Sequence, residues 1–144
     1  MIQSDAAPYA ALLLRLSLGV MFIAHGLLKV VVFTIPGTVQ FFESVGFPGA
    51  LAYVTIVVEL GAGALLLAGV GTRWVALATV PLLLGAALVH LPNGWVFSAQ
   101  GGGWEYPVFL ALAAVVQSLL GDGAYALSLR RTPLPALRTV DRLA

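Results

Sequence analysis

Tyr9–Phe33 reads YAALLLRLSLGVMFIAHGLLKVVVF, and the reading of this stretch decides the fold. It is long enough to cross a hydrocarbon layer that takes about 20 helical residues, yet it contains Arg15, His25 and Lys29. An ionisable group in hydrocarbon is costly, so in a membrane helix it turns inward, is paired and marks a candidate site. On a helix, Arg15, Gly19, Phe22, Gly26 and Lys29 fall along one stripe, with His25 at its edge. The other faces are leucine and valine, as lipid contact requires.

Three more apolar segments follow, at about Gly49–Val70, Trp74–Leu91 and Tyr106–Leu120. The fourth is the shortest and could extend into Gly121–Leu127. Of the 144 residues 60% are hydrophobic and 9% charged, against roughly 25% charged in soluble domains; too little charge is present to cover a water-facing surface. Backbone groups in hydrocarbon must bond within their own segment, so the spans are helices. The expected fold is therefore all-α, an integral membrane four-helix bundle, with residues 1–127 as the transmembrane domain and 128–144 as a basic cytoplasmic tail. Pro81 is expected to bend the third helix. The absence of a basic region before the first segment marks it as a retained span rather than a signal peptide. No cysteine is present, which excludes thiolate chemistry, disulfides and iron–sulfur clusters. A net charge of +1 carries no nucleic-acid signal. GAGALLLAG (Gly61–Gly69) follows no strand and so is helix-packing glycine rather than a nucleotide loop.

The connections set the topology. Pro36-Gly37 should break the first helix, and Gly46 and Pro48 precede the second. Between them Thr38–Val45, with Phe41, Phe42 and Val45 on one side, reads as a short interfacial helix. The tight turn Gly69–Arg73 makes the second and third spans antiparallel neighbours. Asn93-Gly94 and Gly101–Gly103 mark turns, and Trp95, Phe97, Trp104 and Tyr106 an aromatic belt. Arg73 in the second connection and Arg130, Arg131, Arg138 and Arg142 in the tail share one side, and the other two connections have no Lys or Arg. The positive-inside rule then places both termini in the cytoplasm of a bacterial-type inner membrane. His25, Lys29, His90 and Glu105 fall toward the outer side, Glu59 near mid-membrane and Arg15 in the inner third.

These depths leave choices open. On the second span Ala52, Thr55, Glu59, Ala62 and Gly63 share a face, and small residues beside a buried acid favour close helix contact. Glu59 needs a partner: Arg15 from the inner side, or His25 or Lys29 from the outer. The pair could only fix helix register, since desolvation offsets its attraction, or it could be a proton- or ligand-binding site. The third-span face is Ala76, Thr79, Leu83, Ala86, Ala87 and His90, and the fourth-span face Tyr106, Ala113 and Gln117. Glu105 beside Tyr106-Pro107 suits a helix N-terminus; alternatively Glu105, Asn93, His90 and Lys29 meet as a polar lid. Haem held by His25 and His90 is disfavoured because His90 is shallow, and no spaced metal motif occurs.

Taken in order, RLSLGVMFIAHGLLK (Arg15–Lys29), TVQFFESVGFP (Thr38–Pro48), VVELGAGALLLAGVGTRW (Val57–Trp74), VHLPNGWVF (Val89–Phe97) and GGGWEYPVFL (Gly101–Leu110) resemble the DoxX family of small four-helix membrane proteins. The resemblance covers about Leu12–Leu127. It implies a four-helix bundle and a link to redox homeostasis, since relatives include the small membrane subunit of thiosulfate:quinone oxidoreductase. The lack of cysteine argues against persulfide handling by this chain.

The leading expectation is a membrane subunit of a quinone-linked oxidoreductase, with a quinone or other small lipophile in the outer half of the bundle. His25 or His90 would hydrogen-bond a carbonyl, Glu59 would hold or relay a proton and Lys29 would favour an anionic form. The candidate residues are Arg15, His25, Lys29, Glu59, His90, Asn93, Glu105 and Tyr106. The alternatives are a non-catalytic anchor for a soluble redox protein, a homo-oligomer, or a small transporter.

Overall fold

The computed structural model describes residues 6–127. The expected basic tail at 128–144 lies outside the described residues. Every regular element among the described residues is helical: α1 (Ala7–Leu27), continued by a π turn (Leu28–Val32), α2 (Ile35–Ser44), α3 (Ala50–Ala68), α4 (Thr72–His90), a 3₁₀ turn (Leu91–Asn93) and α5 (Glu105–Leu120). Three stretches, Ala7–Val32, Ala50–Ala68 and Thr72–Asn93, are long and apolar enough to cross a membrane. The protein is an integral membrane helical bundle. At 16 residues, α5 is shorter than the about 20 that a span requires.

Helix α1 packs closely on α3, and α4 on α5, with α3–α4 and α1–α5 contacts joining the pairs. The α1–α3 approach is set by backbone. A Cβ on Gly63 would lie 2.9 Å from Gly19 O, and one on Gly19 would lie 3.1 Å from Gly63 O. Small residues at a crossing let van der Waals contact replace the hydrophobic drive that lipid removes. The buried stripe of α1, Ala11, Arg15, Leu18, Gly19, Phe22 and Gly26, follows the predicted period. The core is built from Leu18, Phe22, Leu66, Ala76, Leu83, Ala111 and Ala114. Outward residues such as Leu13, Val57, Leu88 and Leu119 are exposed, as a lipid-facing surface demands.

Two boundaries differ from expectation. The first helix breaks at Thr34, not at Pro36-Gly37: Thr34 adopts φ 62° and ψ 157°, and its hydroxyl accepts from Gly37 N at 3.3 Å. Pro36 then sits in the first turn of α2, where a missing N–H costs nothing. Helix α5 stops at Leu120 instead of continuing through Gly121–Leu127, because Gly121 has φ 83°. Its buried face, Pro107, Ala111, Ala114 and Gln117, is turned by one residue from the predicted one, with Ala113 and Tyr106 half-buried.

Residues 121–127 fold back over the end of the bundle where α1 begins and α5 finishes, here the near end. Ala124 N donates to Pro8 O at 2.9 Å and Leu127 N to Ala68 O at 3.0 Å. Asp122 Oδ1 accepts from Thr72 N at 3.2 Å, so α4, whose own N-cap residue Gly71 has no side chain, is capped from the far part of the sequence. Arg73 Nη2 reaches Leu119 O at 3.3 Å, placing a cation at the C-terminal end of α5, where the helix dipole favours it.

Candidate functional site

The far end holds the ion pair. Lys29, in the π turn after α1, places Nζ 2.8 Å from Glu59 Oε1 of α3. Its Nζ also lies 3.4 Å from His25 O. Gly26 makes this approach possible: a Cβ there would lie 2.7 Å from Leu60 Cδ2. Glu59 is 5% exposed, and its second oxygen, Oε2, is enclosed without a hydrogen-bond partner among the described residues. Among the three candidate partners for Glu59, the structure selects Lys29.

Beside the pair lies a cavity of about 690 Å³, within the size range of small-molecule sites. Its walls are chiefly apolar and come from α1, α3, α4 and α5, with Met21, Val58, Leu82 and Leu110 among them. Phe41 and Phe42 of α2, with Val45 and Phe47 after it, close one side. His25, Lys29, Glu59, His90 and Tyr106 supply the polar groups at its wall. The rings of His25 and Tyr106 stack, with centroids 6.2 Å apart and planes at 27°. Neither ring's polar atoms bond to another described residue. Tyr106 also lies beside Trp95 and Phe97 of the expected aromatic belt, in which Trp95 and Trp104 meet edge to face at 4.4 Å.

The expected polar lid does not form as drawn. His90 Nδ1 donates to Gly101 O at 3.0 Å, because a carbonyl can only accept, and Asn93 Nδ2 donates to the same oxygen at 3.0 Å. Glu105 Oε2 accepts from Phe97 N at 3.3 Å. Asn93 and Glu105 therefore fasten the loop between α4 and α5, Lys29 turns away to Glu59, and His90 keeps Nε2 without a partner among the described residues.

Arg15 lies at the other end. It is 1% exposed and among the described residues gives one hydrogen bond, from Nη2 to Ala124 O at 3.2 Å. Its Nε and Nη1 have no partner among the described residues. A Cβ on Gly69 would overlap Nη1, so the guanidinium packs against the turn that ends α3. Arg15 therefore belongs to the near-end closure and not to the cavity.

Sequence reasoning missed Thr38, 3% exposed, whose hydroxyl lies 2.9 Å from Lys29 O. A lone Thr in an amphipathic segment gives no such signal. The phenylalanines of the same segment were legible as one apolar side, but not as a cavity wall.

Apolar spans, a bundle joined at glycines and a part-buried ion pair beside a cavity define a helical membrane protein with a candidate site between its helices. The family profile described as DoxX matches residues 10–91. The chain is 36% identical over 117 residues to the Bacillus subtilis (strain 168) protein named "Putative oxidoreductase CatD", an alignment spanning 81% of this chain and 82% of that relative. The chain belongs to the DoxX family. No solved structure matches it at a significant level.

Proposed function

We propose that this protein is the small membrane subunit of a quinone-linked oxidoreductase or redox-homeostasis complex, and that the cavity beside Lys29–Glu59 holds a quinone headgroup or a similar small lipophile. In this reading α5 is a fourth span, α2 lies at the membrane interface, and the near end faces the cytoplasm of a bacterial-type inner membrane. The carrying observation is the juxtaposition of an apolar space of about 690 Å³ with His25, Tyr106 and the Lys29–Glu59 pair at its wall. The redox class is supported by the name of the Bacillus subtilis relative.

The residues fit such a ligand. A quinone is a flat apolar ring with polar atoms at its ends, and it supplies two-electron, two-proton chemistry when bound. The apolar walls would exclude water and take the ring. The stacked His25 and Tyr106 have free hydrogen-bonding groups to orient a ring oxygen. Lys29 would favour negative charge at the ligand. Glu59 would hold a proton at Oε2, the oxygen that Lys29 leaves without a partner, and pass it on as a general acid–base. His90, at the cavity wall toward the far-end loop, would serve as a relay.

Mass spectrometry of an organic extract from protein purified in mild detergent tests this reading. Near-stoichiometric quinone is expected. Recovery of bulk lipid alone would overturn the reading and favour a non-catalytic anchor that recruits a soluble redox partner. Glu59→Gln should lower quinone-dependent turnover by about a hundredfold or more if Glu59 carries the proton; unchanged turnover would remove it from that role.

A further inference from the structure

In an α-helix each carbonyl accepts from the N–H four residues on. At Lys29 that donor is Phe33 N, but Phe33 N bonds to Leu28 O at 2.9 Å. This widened turn spans Leu28–Val32, and π turns of this kind recur at functional sites. The Lys29 carbonyl is left to another donor, which is the Thr38 hydroxyl at 2.9 Å. The same hydroxyl is 2.9 Å from Thr34 O, in the turn where Thr34 takes φ 62°. One hydroxyl proton serves one of these acceptors at a time, and with Thr38 3% exposed water is a poor substitute for it.

Thr38 belongs to α2, the helix that brings Phe41 and Phe42 to the cavity. Lys29 is the partner of Glu59. One hydroxyl therefore ties the helix closing the cavity to the residue that sets its charge. Without it, Phe33 N can return to Lys29 O and the turn can close to an α turn. The extra residue of the π turn would then have to be absorbed, either by rotating Lys29 relative to Glu59 or by drawing α2 off the cavity.

We propose that Thr38 is a positioning residue, which holds Lys29 against Glu59 through the π turn and makes the ion pair depend on the seating of α2 over the cavity. The inference rests on the reading of the cavity as a lipophile site. The test uses full-length protein in detergent, with decyl-ubiquinone as the probe, and Thr38→Val, Thr38→Ala and Thr38→Ser. Two quantities are read: equilibrium binding of the probe, and the infrared carboxylate band of Glu59, identified as the band lost in Glu59→Gln.

Thr38→Val and Thr38→Ala should shift the Glu59 band and weaken probe binding about three- to tenfold, the span of one net hydrogen bond. Thr38→Ser keeps the hydroxyl and should leave both near wild type. An unmoved band in Thr38→Val or Thr38→Ala overturns the proposal, even if thermal stability falls, because a merely structural residue would not act on Glu59. A shifted band in Thr38→Ser overturns it equally, and remains decisive if the other two variants do not fold. If wild-type protein binds no probe, the quinone reading fails, while the band comparison still decides the role of Thr38.

Discussion

The two ends of the bundle treat an inward-turned cation in opposite ways. At the far end Lys29 meets a carboxylate at 2.8 Å beside an open cavity. At the near end Arg15, 1% exposed, meets a backbone carbonyl, Ala124 O, beneath a segment that folds over it. Each leaves polar atoms without a partner among the described residues, Glu59 Oε2 at the far end and Arg15 Nε and Nη1 at the near end, but only the first sets them beside a cavity, with the His25 and Tyr106 rings at its wall. The second fills its space with chain: residues 121–127 bond to the start of α1, the end of α3 and the start of α4. The near end is closed by chain and the far end carries the cavity, so perturbing each should produce different losses.

The largest effect should come from Lys29→Met. It leaves the Glu59 carboxylate buried without its cation, a loss of about 3–5 kcal/mol for such a half-broken pair, read as a drop in the thermal midpoint in detergent. Adding Glu59→Gln should recover most of that loss, since the uncompensated charge is gone. A double variant as unstable as the single one would show that packing, not charge, is at stake.

Gly69→Val attacks the near end. Gly69 has φ 72° and its Cβ position is filled by Arg15, so strain of about 1–3 kcal/mol adds to displacement of the guanidinium. Stability should fall by at least about 2 kcal/mol, while any folded fraction binds ligand as wild type does. Reduced affinity in that fraction would mean the two ends are coupled.

Asp122→Ala removes the acceptor that caps Thr72 N at 3.2 Å. A lost helix cap costs about 1 kcal/mol, measurable as a modest shift in the midpoint with no change in probe binding. The smallest effect belongs to Asn93→Ala. Its bond to Gly101 O is exposed and shared with His90, so the cost should be about 0.5 kcal/mol. A larger loss would show that the loop between α4 and α5 is a structural part of the far end.

Much of this architecture can be read from the chain because lipid imposes a simple rule: polar groups inward, leucine and valine outward. The rule places Arg15, Gly19, Phe22 and Gly26 correctly on α1, and Ala52, Glu59, Ala62 and Gly63 on α3. It does less well on α5, whose face is shifted toward Ala111 and Ala114, because that helix has few polar residues to fix its phase. It also names Lys29 and Glu59 as site candidates without pairing them. Arg15, His25 and Lys29 lie on or beside one stripe, and spacing alone does not say which of them reaches Glu59.

What the sequence determined by itself is the class of molecule: apolar helices of span length, a small set of inward ionisable residues, and glycines where α1 and α3 must touch. These follow from local composition and helical period, which every residue reports independently of its distant neighbours. Tertiary structure decided the rest. It widened the helix at Leu28–Val32, gave the freed Lys29 carbonyl to Thr38, and turned Lys29 to Glu59. It also brought Asp122 and Ala124 back to cover Thr72 and Arg15. Each of these contacts satisfies a buried polar group with a partner from elsewhere in the fold, and a local pattern records the need for such a partner but not which residue meets it.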